Sequence, residues 1–170
     1  MIQRYGKIGP EIDPAAYVHG RSTIIGEVTV GPEVSVMPSA VLRGDQGPIE
    51  IGAKSNIQDG AICHATEGVS TMRVGERVTV GHGAIIHGAH VGDDCIVGMG
   101  SILLDNAVIS PWTIVAAGAL VPPGKEYPEG VLLVGSPAKV ARPITEEERG
   151  MIEHSWKEYV RLSKEYRSQE

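Results

Sequence analysis

Phenylalanine is missing from this chain of 170 residues, and aromatic residues of all kinds make up only 4% of it. So few rings point to a core of thin layers, where a bulky side chain would crowd its neighbours. The two cysteines, Cys63 and Cys95, are too few for a disulfide framework, and both sit where a small residue packs inward, which predicts two buried thiols. No apolar run is long enough to span a bilayer, and the opening MIQRYGKIGPEI lacks the apolar segment of a secretory leader, so a cytoplasmic protein with no membrane partner is expected. Lys and Arg number 15 against 21 Asp and Glu, and a net charge of −6 argues against nucleic-acid binding, which needs a basic patch or stripe.

What the chain has is a period of six. Ile12, Val18, Ile24, Val30, Val36 and Leu42 fall in one frame, and Val91, Val97, Leu103, Ile109, Val115 and Val121 in another. Four residues after each stands a small or β-branched residue, as at Ala16, Ser22, Val28, Val34 and Ala40, and again at Cys95, Ser101, Ala107, Thr113 and Ala119. A helix repeats near 3.6 residues and a half-buried strand near 2, so neither fits. An all-β solenoid does, with short strands and corners three to a coil and each aliphatic stacked on its counterpart in the next coil. Glycine follows several of these aliphatics, as at Gly31, Gly52, Gly75 and Gly92, where tight corners favour a residue without Cβ.

The whole chain, 1–170, reads as a single domain: repeats from about 11 to 124, a Pro/Gly-punctuated strap over 125–143, and a closing helix over 144–168. Thr145 is expected as the N-cap of that helix and Glu148 as its capping-box partner. Ile152, Trp156, Tyr159, Ser163 and Tyr166 then form a stripe suited to packing on a side of the solenoid.

The repeat breaks after Leu42, where GDQGP makes an excursion, after Cys63, where ATEGVSTMR intervenes, and between Val80 and Ile85, where the step is five. Such breaks commonly mark loops on a functional face. His64, His82 and His87 cluster at the second and third breaks. With 65–72 counted as a loop, His64 and His87 share a face in adjacent coils and His82 lies around a corner, so one chain would struggle to aim all three at one ion. Two adjacent chains could combine them into a three-histidine site with an open position, the form of a catalytic zinc centre. Counting Val69 as a repeat position would instead stack His82 over His64, and both counts remain open at this point. His19, His90 and His154 read as surface or corner residues. Arg43 and Asp45 could form a bidentate pair, and Asn56, Gln58 and Asp59 could hydrogen-bond a metal-bound nucleophile, although Asn56 and Asp59 equally suit corners.

RGDQ at 43–46, NIQDG at 56–60, His64, TVGHGAIIHGAHVGDDCIVGMGS at 79–101 and VGSPAK at 134–139 together resemble the γ-class carbonic anhydrase family over nearly the whole chain. The resemblance implies a left-handed parallel β-helix in a homotrimer, with His64 and His87 from one subunit and His82 from the next holding Zn²⁺, or Fe²⁺ or Co²⁺ in its place. It implies reversible hydration of carbon dioxide to bicarbonate by a metal-bound hydroxide. In that scheme Gln58 positions the hydroxide, Asn56 and Asp59 are its hydrogen-bonding neighbours, and Arg43 and Asp45 match the family's interface salt-bridge pair. Departures concern proton transfer. The long acidic loop of the family's best-characterised type is short here, Gln46 stands where a glutamate follows the RGD, and Glu67 falls near the place of the shuttle. The chain thus resembles the compact branch, which includes active anhydrases and members without detectable activity. Two other readings follow from the residues. One is a metal-binding homologue without turnover. The other is a hexapeptide acyltransferase or CoA thioesterase, suggested by the strap with Lys139 and Arg142.

Overall fold

A computed structural model describes residues 1–169; Glu170, the last residue of the expected single-domain span, lies outside the described residues. The hexads wind into about seven turns of a left-handed parallel β-helix with a C-terminal helix. On the first face Ile24, Leu42, Cys63, Ile86, Leu103 and Val121 stack in register. On the second, Ile12, Val30, Ile51, Val74, Val91, Ile109 and Tyr127 do so. The third carries Val18, Val36, Ile57, Val80, Val97, Val115 and Leu133. These side chains and the small residues between them form one continuous core, in which each fully buried aliphatic contributes about 1.5–3 kcal/mol relative to exposure. Cys63 and Cys95 are buried free thiols, and burial pushes both up to about 12, so neither carries a reactive thiolate.

The phase of the repeat differs from expectation at one step. Ile86, not Ile85, turns inward: it is fully buried between Cys63 and Leu103, while Ile85 pairs with Ile62 and Ile102 on the outer surface. Six residues therefore separate Val80 from Ile86, and the short step falls between Ile86 and Val91. The GDQGP stretch makes the expected excursion while its backbone stays extended: Gly44 pairs with Gly26 and Ile49 with Val28, so residues 45–48 stand opposite Glu27 alone. Val41–Ile51 is one strand that passes the corner, with Arg43 and Gly44 paired to Ile25 and Gly26. Glycine is required at 44, since a Cβ there would lie 2.3 Å from the Glu27 carbonyl oxygen. At the Gly52 corner the reason is again close approach, because a Cβ would meet the Gly75 backbone at 2.5 Å.

Stacking continues past residue 124, where the strap was expected to begin: Tyr127 and Leu133 occupy core positions over Ile109 and Val115. A ring fits at Tyr127 because it lies near the end of the solenoid, with its hydroxyl donating to Ala138 O at 3.0 Å. Beyond it Lys139–Pro143 turns back antiparallel to Val131–Val134. The helix, Glu146–Arg167, opens on the expected Thr145 capping box, and Arg142 grips Glu148 with two hydrogen bonds at 2.7 and 2.8 Å. That ion pair, followed by the Thr145 amide, holds the Glu148 carboxyl down at about 2. The helix lies over the third face; Ile152 and Ser163 are buried, and Tyr166 stacks on Tyr17 with ring centroids 5.6 Å apart. It covers the outward-facing ladder of Tyr17, Ser35, Asn56 and Thr79, which explains how these polar side chains come to be buried. Among the described residues no helix is long and apolar enough to cross a membrane.

Candidate functional site

Apart from Glu67, the singled-out residues fall into two clusters at opposite edges of the first face. One stands where the strands Ile62–His64 and Ile85–His87 end. Pairing of His64 with His87 across adjacent coils settles the count in favour of a loop after Cys63, and Val69 lies exposed in that loop. The two rings meet with His64 Nδ1 3.1 Å from His87 Nε2 and centroids 5.1 Å apart. Their remaining nitrogens face carboxylates: His64 Nε2 is 3.2 Å from Asp45 Oδ1, and His87 Nδ1 is 3.3 Å from Asp105 Oδ1.

These contacts assign the ring protons. An ionised carboxylate only accepts, so each nitrogen facing one carries the hydrogen. In neutral rings so arranged, the two nitrogens that face each other at 3.1 Å are both lone pairs. Two lone pairs at that distance repel unless a cation lies between them. Two nitrogens bound to one tetrahedral metal at about 2.0–2.1 Å would stand about 3.3 Å apart, so the pair fits one ion. Asp45 suits this arrangement. Burial opposes its ionisation, but the Arg43 guanidinium, at 2.9 and 2.7 Å from its two oxygens, prevails and holds the carboxyl below the ordinary range. Burial and the Arg43 charge push His64 below the usual imidazole range, against the opposing pull of Asp45, which favours the neutral ring that a metal requires. Arg43 and Asp45 meet within the chain.

The second cluster occupies the corner that precedes the first face. His82 Nδ1 lies 3.0 Å from Asp59 Oδ2, leaving Nε2 outward on a half-exposed ring. Next to it, Asn56 donates to Thr79 Oγ1 at 3.0 Å and accepts from Gln58 Nε2 at 3.1 Å. Asn56 is fully buried, so this chain fixes the Gln58 amide with its carbonyl oxygen still unused by Asn56. Burial, with the Asp59 charge adding to it, pushes the Tyr159 hydroxyl up. Among the described residues no three His, Cys, Asp or Glu side chains of one chain are grouped to hold an ion. Two of the three imidazoles stand at one edge of the face and the third at the other.

Glu67 is exposed on the 65–71 loop and carries no hydrogen bond or ion pair to either cluster. Asp105, Ser70, Thr66 and Thr79 were not singled out by sequence, since each stands at a repeat corner or in a loop where a small polar residue is ordinary. Between the two edges the first face presents Val41, Ile62, Ile85, Ile102 and Leu120 outward in register. The equivalent positions of the second face are Thr29, Glu50, Arg73 and His90.

A family profile described as a hexapeptide repeat of succinyl-transferase matches residues 72–105. The chain is 38% identical to Protein YrdA of Escherichia coli, over 99% of this chain and 95% of that protein. It is 39% identical to mitochondrial gamma carbonic anhydrase 2 of Arabidopsis thaliana, over 94% of this chain and 59% of that protein. Among solved structures, a hexapeptide transferase family protein from Anaplasma phagocytophilum matches with a TM-score of 0.93 at 38% identity, covering 97% of each chain.

Proposed function

The chain belongs to the γ-class carbonic anhydrase-like family of hexapeptide-repeat proteins, and from that premise we propose that it is a metal-dependent carbon dioxide hydratase whose sites lie between subunits of a homotrimer. The observation that carries this reading is the pair of facing imidazole nitrogens, His64 Nδ1 and His87 Nε2, with a carboxylate behind each ring. A third imidazole, His82 Nε2, points away at the opposite edge, and the stripe Val41, Ile62, Ile85, Ile102 and Leu120 between the edges is the surface a neighbour would cover. In a closed ring each subunit would offer His64 and His87 to one neighbour and His82 to the other.

Zinc, or iron or cobalt in its place, would lower the pKa of water to about 7 and so supply a hydroxide nucleophile at neutral pH. The protein's own groups do the rest. Gln58, held by Asn56 and Thr79, presents a fixed amide oxygen that orients the nucleophile's hydrogen. Asp45 and Asp59 hold protons on His64 Nε2 and His82 Nδ1, which keeps the opposite ring nitrogens as donors to the ion. Product formation releases a proton, and with Glu67 exposed and unattached and Gln46 unable to titrate, external buffer would carry that proton away.

Acyl transfer is the second reading, favoured by the match to a hexapeptide transferase family protein. Against it, Arg142, one of the two strap cations, is already engaged by Glu148. Stopped-flow carbon dioxide hydration on protein purified anaerobically, with metal counted per chain, separates the two. About one metal per chain, hydration that rises with added imidazole buffer, and loss of activity in His87→Ala support the hydratase. Metal without hydration refutes the reaction, and acetyl-CoA turnover by metal-free protein establishes the transferase.

A further inference from the structure

Asp105 lies on a regular coil, 18 residues beyond His87, and so far it has entered only as the carboxylate behind that ring. Three side chains converge on its carboxylate. Ser70 Oγ donates to its Oδ1 at 2.5 Å and Thr66 Oγ1 to its Oδ2 at 3.3 Å, while the same Oδ1 stands 3.3 Å from His87 Nδ1. The Thr66 backbone amide donates in turn to Ser70 Oγ at 3.1 Å, and Asn106 Nδ2 donates to Val69 O at 3.3 Å. The loop after His64 is thereby tied to the coil that follows His87. Space for the knot is provided by Gly88, where a Cβ would lie 2.1 Å from Ser70 Oγ and 2.2 Å from Asp105 Oδ1.

We infer that Asp105 is a positioning residue: it accepts the Nδ1 proton of His87, selects the tautomer that leaves Nε2 as the metal donor, and is itself fixed by Ser70 and Thr66, so that the loop following one histidine clamps the other. The inference rests on the metal-site reading for its consequence, but its structural content concerns the metal-free protein. The short 65–71 loop thus has a part in building the site. It also explains why the second break in the repeat is held rigidly against residues 105 and 106.

The test is a two-bond ¹⁵N correlation spectrum of the imidazoles in the metal-free protein, at a pH where they are neutral, combined with zinc affinity from competition against a chromophoric chelator. Wild type should show His87 as the Nδ1–H tautomer. Asp105→Ala should shift it toward Nε2–H and weaken zinc binding by about 10–100-fold, the usual cost of losing an outer partner of a ligating histidine. Asp105→Asn, which can still accept from Nδ1–H, should restore the wild-type tautomer. Thr66→Val/Ser70→Ala frees the carboxylate without removing it, and should produce a smaller change of both quantities in the same direction. It carries the test if Asp105→Ala does not fold. Tautomer and affinity both unchanged in either variant would overturn the inference. Wild-type protein that binds no zinc would overturn the reading of the site instead, and the tautomer in metal-free protein would still decide the part played by Asp105.

Discussion

His82→Ala protein should be purified with almost no metal, although each chain keeps its His64 and His87 pair intact. Two facing imidazoles 3.1 Å apart hold an ion weakly unless a third donor completes the set, and in the proposed site that donor is the His82 of another subunit. Loss of a direct ligand should exceed the 10–100-fold cost of losing an outer partner. Metal content is expected to fall from about one per chain to near none, as it should in His64→Ala and His87→Ala. The fold should not change, because His82 is half exposed at a corner and contributes little to the core. Metal analysis beside far-UV circular dichroism gives the answer. Full metal occupancy in His82→Ala would place the ion wholly within one chain.

An equally large effect should follow from charging the apolar stripe. Ile62 is 40% exposed, and its in-register neighbours Val41 and Ile85 are only partly covered, so in a lone subunit this face leaves a continuous band of aliphatic surface in water. Ile62→Asp/Ile85→Asp places two carboxylates in the middle of that band while leaving the inward-facing Cys63 and Ile86 unaltered. Buried against a neighbour, unpaired carboxylates cost several kcal/mol each. The double variant should therefore sediment as a folded monomer and bind no zinc, despite retaining all of its histidines. A trimer with normal zinc content would show that this face is not where subunits meet.

Much of the architecture was legible because the solenoid repeats the same small problem many times. Any single position in the two frames or among their small partners could depart from the pattern without moving the period. The phase at Ile85 and Ile86 was not legible, since two adjacent isoleucines satisfy the hexad equally well and only pairing with Cys63 decides which one turns inward. The strap boundary was misplaced for a related reason: Tyr127 breaks the aliphatic pattern, and the coil it belongs to accommodates a ring only because it lies near the end of the stack. Capping chemistry at Thr145 and Glu148 is local in sequence and was read correctly.

At the site, the register breaks pointed to His64, His82 and His87, and the loop count that puts His64 beside His87 is the one the structure has. Asp105 escaped notice because it interrupts nothing. It reaches His87 through stacking of coils, a relation that spans 18 residues and leaves no local signature. Likewise, nothing in the spacing of Asn56 revealed that the closing helix buries it and so makes its hydrogen bonds to Gln58 and Thr79 obligatory.

Division of the metal site between subunits is tested most directly by mixing two defective chains. A His64→Ala/His87→Ala chain and a His82→Ala chain each lack a complete site when alone. Unfolded together and refolded, they should form mixed trimers that each regain a single intact site, with zinc binding and carbon dioxide hydration restored in proportion. If mixed trimers form, as native mass spectrometry would show, yet bind no zinc, the three histidines do not meet across the interface and the site assigned to them does not exist.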